Sequence, residues 1–298
     1  MGILFYAVKA TFEYRDLIIE KIVGRRLSGE LYIPCIDCNN LRMEILSQKA
    51  QILGAKYLST GHYAKVHKND TLNCYQVFTA NDMENDQSFL LSSLPQHNLS
   101  RLILPLSDLR KVDVIKINQR FGLGGKVLRD SKNFCYSDKN TSYLIEGFSH
   151  ENLRPAGQLI LSSNEHSLGE HEGIHKYVYG QSDIKGREGI GFQQIDRDLV
   201  VVDIAPQGKI LLASKEDFYF EGCGVDDLFL TPLLDLTKPI KLFIRFRPSE
   251  KAYKAVLYFK CADKGVLYFA EKVFGLARGQ HIVFYDRGGD GAKTIGSA

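Results

Sequence analysis

The chain has 298 residues, of which 44 % are hydrophobic and 24 % charged, with a formal net charge of +3, 8 Pro and no Trp. That length buries a sizeable core, and the balance excludes collagen, coiled coil and bulk disorder. No apolar run reaches the roughly 18 residues of a membrane span, and the start has neither a basic region nor a small-residue cleavage site, so the expectation is a soluble, cytoplasmic protein with no membrane partner.

In chain order, Ile3 to Val8 has the length and apolarity of a buried strand, and Asp16 to Val23 follows with helical spacing. After a loop at Pro34–Asn39, residues Leu41, Ile45, Leu46, Ala50 and Leu53 mark one helix face, with Asn39 or Asn40 as N-cap and Gly54 as the stop. Ala55 to Ser59 reads as a strand ending in Thr60-Gly61-His62, so strand, helix and a loop in the ligand position point to α/β architecture. Residues 63–79 read as a hairpin around Lys68-Asn69-Asp70, followed by helical segments near Gln87–Leu94, Val112–Phe121 and Thr141–Gly147.

Beyond about residue 148 the pattern becomes β. Gln158–Ser162, Leu199–Ile204 and Ile210–Ala213 are short strands between Gly, Asn and Pro-Gln-Gly turns. From Ile240 four strand-like runs (KLFIRFR, YKAVLYF, GVLYFA, HIVFYD) suggest a small barrel or sandwich. The expected organisation is α/β plus β: an α/β domain over 1–147, a small central β domain over 148–214 and a C-terminal β-barrel over 215–298.

Charge is uneven along the chain. Arg101 to Lys132 holds eight basic residues against three acids, and Lys238 to Lys254 holds six against one. Two separated basic segments suit a phosphate backbone that touches the protein twice, and equally suit two solvated faces.

The six cysteines do not form a disulfide-scaffold pattern. Cys35 and Cys38 make a C-x-x-C directly before a helix, where the dipole favours a reactive thiolate. A structural zinc needs a second ligand pair, and Cys74, Cys135, Cys223 and Cys261 are isolated, so no metal is expected. A thioredoxin-type pair would follow the first strand of a smaller fold, which the surroundings do not match. Cys135, flanked by Arg129, Lys132 and Lys139, is a second reactive thiol or a core residue beside Phe134. Cys74, Cys223 and Cys261 read as packing.

Seven segments then align in order with one family: PCIDCN, GAKYLSTGHYAKV, NDQSFLLSSL, LILPLSDLRKVDV, DSKNFCYSDKNTSYL, LGEHEGIHKYVYGQ, and FIRFR with GQHIVFYD, spanning residues 30–286. The chain resembles the tRNA-specific 2-thiouridylases (the MnmA/TrmU family). The resemblance implies a PP-loop, adenine-nucleotide hydrolase-like α/β domain, a central β domain and a C-terminal barrel. It implies ATP-dependent (Mg-dependent) 2-thiolation of the wobble uridine at tRNA position 34. ATP activates the C2 oxygen as a leaving group, a cysteine persulfide attacks C2, and a second cysteine closes a disulfide. The sulfur comes from a relay protein or cysteine desulfurase.

By position, the resemblance makes Cys135 the persulfide carrier and Cys38 the second catalytic cysteine. Gly61 matches a nucleotide contact. Ile33, Pro34 and Cys35 match the stretch meeting the target base, and His62, Asn85, Asp86, Gln87, Arg245, Phe246 and Gln280 match tRNA contacts. Some relatives carry Asp where this chain has Cys35; Asp37 is near but not at the matching position. The Ser-Gly-Gly-x-Asp-Ser loop that holds ATP pyrophosphate does not occur, the nearest strings being Ser28-Gly29-Glu30 and Gly288-Gly289-Asp290-Gly291. In the central region QSDIKGREGIGF replaces a tighter Gly-rich turn, with Arg187 as the candidate stand-in. The alternative expectation is therefore a truncated or degenerate paralogue that binds tRNA without catalysis. On its own this polypeptide is expected to hydrolyse no ATP and thiolate no tRNA, and a sheet lacking its first strands would expose apolar surface.

Overall fold

A computed structural model describes residues 4–123, 138–149, 156–184, 198–230, 237–248 and 250–298. Residues 4–10 carry no regular structure, and Leu4 and Phe5 are 81 % and 88 % exposed, so the expected first strand is not formed. An apolar run becomes a buried strand only beside a hydrogen-bonding neighbour, and these residues have none. The chain then turns helical as α1 (Thr11–Tyr14), a π turn (Arg15–Ile19) and α2 (Glu20–Leu27). The wide π turn lets the consecutive Ile18 and Ile19 both face inward with Ile22.

Helix α3 spans Cys35–Ile52, starting four residues before the expected N-cap at Asn39. Pro34 supplies the start: its φ of −68° suits a first turn, and its carbonyl accepts the Cys38 N–H at 2.8 Å. Gly54, at φ +72°, ends the helix. Strand β1 (Leu58–Ser59) is only two residues long and pairs in parallel with β4 (Leu102–Ile103). Between them lie the hairpin β2 (Ala64–Asn69) and β3 (Cys74–Thr79), two 3₁₀ turns (Met83–Asn85, Ser88–Leu91) and the short α4 (Gln96–Leu99). The helix expected over Gln87–Leu94 is thus a single 3₁₀ turn, because Asp86 captures the Ala80 and Ser88 N–H groups (2.9 and 3.3 Å) and Pro95 follows. Helices α5 (Lys111–Arg120) and α6 (Asp138–Phe148) complete this region.

The central sheet runs β6 (Ser167–His171), β5 (Gly157–Leu161), β8 (Lys209–Ser214), β7 (Leu199–Ala205), with β5 and β8 parallel and the other pairs antiparallel. Leu159, Ile174, Val201, Ile204, Ile210 and Leu212 form its core.

The last sheet has seven strands in the order β10-β15-β14-β11-β12-β13-β9. Their ranges are β9 Tyr219–Val225, β10 Phe229–Leu230, β11 Ile240–Arg245, β12 Tyr253–Cys261, β13 Lys264–Phe274, β14 Val283–Tyr285 and β15 Thr294–Ser297. The outer strands β9 and β10 are neighbours in sequence, separated only by Asp226, Asp227 and Leu228. A flat seven-stranded sheet holds its edges roughly 29 Å apart, whereas three residues bridge about 10 Å. The sheet must therefore curl almost into a ring, around Leu242, Ile244, Leu257, Leu267 and Phe284.

Strand β3 docks this barrel-like sheet onto the α/β region. Thr79 N–H donates to the Ala292 carbonyl (2.9 Å), Ala292 N–H to Thr79 Oγ1 (3.1 Å), and Thr294 Oγ1 to the Val77 carbonyl (3.1 Å). Ile36, Phe89, Val283, Tyr285 and Ala292 form a separate apolar cluster at this contact.

Candidate functional site

The segment leading into α3 is gripped from two sides. Tyr179 Oη of the central region donates to the Gly29 carbonyl at 2.8 Å, and Leu31 N–H donates to the Arg278 carbonyl of the barrel at 2.7 Å. Gly29 sits at φ +71°, and a Cβ there would lie 2.0 Å from the Ile204 carbonyl oxygen, so only glycine fits this crossing. Arg278 closes it with an ion pair to Asp203 (3.0 Å).

This loop delivers Cys35 and Cys38 to the first turn of α3, where both side chains are half-buried. Ile33 is half-buried and Pro34 buried. The loop after β1 packs against the same turn. His62 Nε2 donates to Asn39 Oδ1 (3.2 Å), and Thr60 Oγ1 donates to His62 Nδ1 (3.0 Å), a pattern that needs a neutral ring. Burial, helped by the charge of Arg42, pushes the His62 pKa down and keeps it so. Gly61 is exposed, and a Cβ there would meet only Leu106, at 3.8 Å. The structure thus ties the Gly61–His62 loop to α3 at Asn39, the residue after Cys38. Cys135 lies outside the described residues, as do Arg129, Lys132 and Arg187.

The expected RNA contacts fall into two sets. Asn85 is half-buried and caps Asp82 (2.9 Å), while Gln87 clamps Tyr63 through its N–H (2.7 Å) and its Oε1 (3.0 Å). Gln280 holds its own loop, accepting from Ala277 N–H (3.1 Å) and donating to the Phe246 carbonyl (3.4 Å). By contrast Asp86, Arg245 and Phe246 are 1 %, 2 % and 3 % exposed, and Asp86 and Arg245 bind each other at 2.7 Å. Burial leaves those three no outer surface to offer RNA. The exposed cations of the second basic segment are Lys238, Lys241, Arg247, Lys251 and Lys254. Phe243 pairs with Lys254, so Lys241 and Lys254 are diagonal neighbours on one face of the sheet.

A cavity of about 950 Å³ lies where α3, the central region and the barrel meet, lined by Ile33, Asp37, Cys223, Phe246, Gln280 and His281 among others. Asp37 Oδ2 accepts from Lys21 Nζ at 2.7 Å and from Tyr32 Oη. Burial, with the Asp37 hydrogen bond, pushes the Tyr32 pKa far up, so the phenol stays a donor. Burial also raises the Cys223 thiol to about 11 and lowers His281 to about 4, which leaves both neutral. Sequence reasoning missed Lys21, Tyr32, Asp37 and His281 as a group. Only Asp37, one residue before Cys38, carried a local signal.

The comparisons with known proteins agree with this layout. Residues 1–139 match a family model described as "tRNA methyl transferase HUP domain", and residues 228–298 one described as "Aminomethyltransferase beta-barrel domain". The tRNA-specific 2-thiouridylase MnmA of Natranaerobius thermophilus is 29 % identical over 96 % of this chain and 76 % of its own length. That of Clostridium beijerinckii is 29 % identical over 96 % of the chain and 78 % of its own, and that of Caldicellulosiruptor saccharolyticus 27 % over 96 % and 78 %. No described helix is long and apolar enough to cross a membrane. With both family models in the order of the observed fold and relatives aligned across nearly all of it, this chain is similar to the tRNA-specific 2-thiouridylases along almost its whole length.

Proposed function

We propose that the chain serves tRNA-uridine 2-sulfurtransfer at the wobble position, supplying the thiols and the RNA-binding surface. The observation that carries this is the first turn of α3, where a free Cys38 immediately precedes Asn39, the residue that bonds His62, in a chain similar to 2-thiouridylases. In this reading Cys135 carries a persulfide. Its terminal sulfur goes to C2 of uridine, Cys38 Sγ takes the inner sulfur to form a Cys38–Cys135 disulfide, and an external thiol reductant restores both thiols. ATP, when bound, makes the C2 oxygen a leaving group, and the exposed Gly61 suits it. Neutral His62 ties the Thr60–His62 loop to α3, and Ile33, Pro34 and Cys35 face the target base. His62, Asn85, Gln87 and Gln280 lie toward the RNA, with Asp86, Arg245 and Phe246 acting from within. Exposed Lys241, Arg247 and Lys254 give salt-dependent attraction to phosphates. The sulfur donor is a relay protein or desulfurase, and the site of action is the cytoplasm.

A second reading, tRNA binding without thiolation, is favoured by one fact: no Ser-Gly-Gly-x-Asp-Ser string occurs in this sequence. Purified chain with ATP, a persulfide donor and an anticodon stem-loop separates the two. The chain alone is expected to bind RNA, to form a Cys38–Cys135 disulfide by peptide mapping, and to release neither AMP nor 2-thiouridine. Adding a polypeptide that bears the missing string is expected to start turnover that Cys38→Ser and Cys135→Ser each abolish. Binding that persists with no disulfide and no effect of either serine substitution would establish the second reading.

A further inference from the structure

The most deeply buried charges among the described residues belong to neither thiol. Arg245 Nη1 meets Asp86 Oδ2 at 2.7 Å with both side chains at or below 2 % exposure, across a sequence separation of 159 residues. Asp86 is fully engaged from its own side. Oδ2 also accepts from Ser88 Oγ (2.7 Å), and Oδ1 accepts from the N–H groups of Ala80 (2.9 Å) and Ser88 (3.3 Å). On the barrel side the Arg245 guanidinium lies over the Tyr285 ring at 4.7 Å, and the Tyr285 and Ser88 hydroxyls are 3.1 Å apart.

A pair of this kind adds little net stability, since desolvating two charges offsets most of their attraction, and Arg245 Nε here has no hydrogen-bond partner. Its effect is directional. The planar guanidinium fork accepts few orientations of its carboxylate, so the pair fixes how β11 meets the Ala80–Ser88 turn. The same contact holds the cluster of Ile36, Phe89, Val283 and Tyr285, and Ile36 lies in the first turn of α3, two residues before Cys38.

We propose that Asp86 and Arg245, with Ser88 and Tyr285, form a positioning joint. It sets the angle of the barrel over the thiol-bearing turn and thereby governs tRNA affinity without touching RNA. This rests on the proposed function above. A direct phosphate contact at Arg245, the role its sequence position suggested, predicts a different salt dependence.

The test uses the full chain as wild type, Asp86→Asn, Arg245→Gln and the double variant, read in two ways. Without RNA, thermal unfolding of the wild type is expected to be one transition. Each single variant is expected to split it into barrel and α/β steps, and the double variant, with a neutral hydrogen-bonded pair, to rejoin them. With a fluorescent tRNA, each single variant is expected to bind about tenfold more weakly and the double variant within about threefold of wild type, while the slope of log Kd on log salt stays unchanged. Arg245→Gln lowering that slope by about 0.7–0.9, with no recovery in the double variant, would overturn the joint in favour of a phosphate contact. Should a single variant fail to fold, Tyr285→Phe removes one hydroxyl only; unchanged unfolding and affinity there, with a double variant that stays split and binds about tenfold more weakly than wild type, would also overturn it. If wild-type chain binds no tRNA, the functional reading fails, and the unfolding experiment still decides the joint.

Discussion

The barrel and the α/β region solve the same problem differently. In the barrel, seven strands curl until three residues join the edges, and the inward residues Ile244, Leu257, Leu267 and Phe284 are fully buried. In the α/β region the only parallel pairing among the described residues outside the central sheet is the two-residue β1–β4 contact. In the same region Leu4, Phe5, Phe12, Ile52 and Tyr57 are each more than half exposed. Parallel strands are ordinarily covered on both faces, so this flank presents surface that the barrel has hidden. The barrel sheet encloses a core of its own, whereas the α/β region shares a cluster with the barrel through β3 and Ile36.

Four substitutions probe that contrast. The largest effect is expected at Phe284→Ala, which opens a void in the closed sheet and costs about 3–5 kcal/mol in urea denaturation; a loss below about 1 kcal/mol would show that the sheet does not close around this ring. Next comes pH. Burial pushes the His281 pKa down to about 4 in the folded protein, against an ordinary value of 6.5, with the Asp37 charge opposing the shift. Below 6.5 the unfolded chain takes up a proton that the folded one refuses, so stability is intact above 6.5 and falls progressively down to about 4, by on the order of 3 kcal/mol. In His281→Phe this part of the acid dependence is expected to vanish; equal slopes for both proteins would refute it.

Gly29→Ala combines a positive φ with a carbonyl in the way, and an expected loss of about 1–3 kcal/mol should appear as faster proteolysis around the loop. A neutral outcome would mean that the crossing is loose. The smallest effect belongs to Ile52→Lys on the open flank: stability within about 0.5 kcal/mol of wild type, with less light scattering at high concentration. A clear destabilisation would reveal that this flank is covered in solution.

Local pattern made the hairpin at 64–79, helix α5, three of the four central strands and four barrel strands readable in the sequence, since each has period-2 or helical spacing between turn residues. Strands β9 and β15 were not readable: Gly222 and Gly224 interrupt one and Gly296 the other, and they hold as strands only because β13 and β14 pair with them. The start of α3 was misplaced because two asparagines look like caps, while Pro34 had already set the turn. At the candidate site, Cys38, Gly61 and His62 are named by motif, and the bond of His62 to Asn39 came only with the structure. The partnership of Asp86 with Arg245 could not be read either, because charges 159 residues apart declare their association only when the barrel docks.

The crossing at Gly29 also bears on how such proteins can be recombined. The loop between α2 and α3 belongs by sequence to the first region, yet its carbonyl and amide are held by Tyr179 and Arg278 of the other two. A chimera that exchanges a whole region at its apparent boundary would strand that loop among strangers. The portable module is a region together with residues 28–34, and grafts cut this way should keep the cysteine turn in place while grafts cut elsewhere lose it.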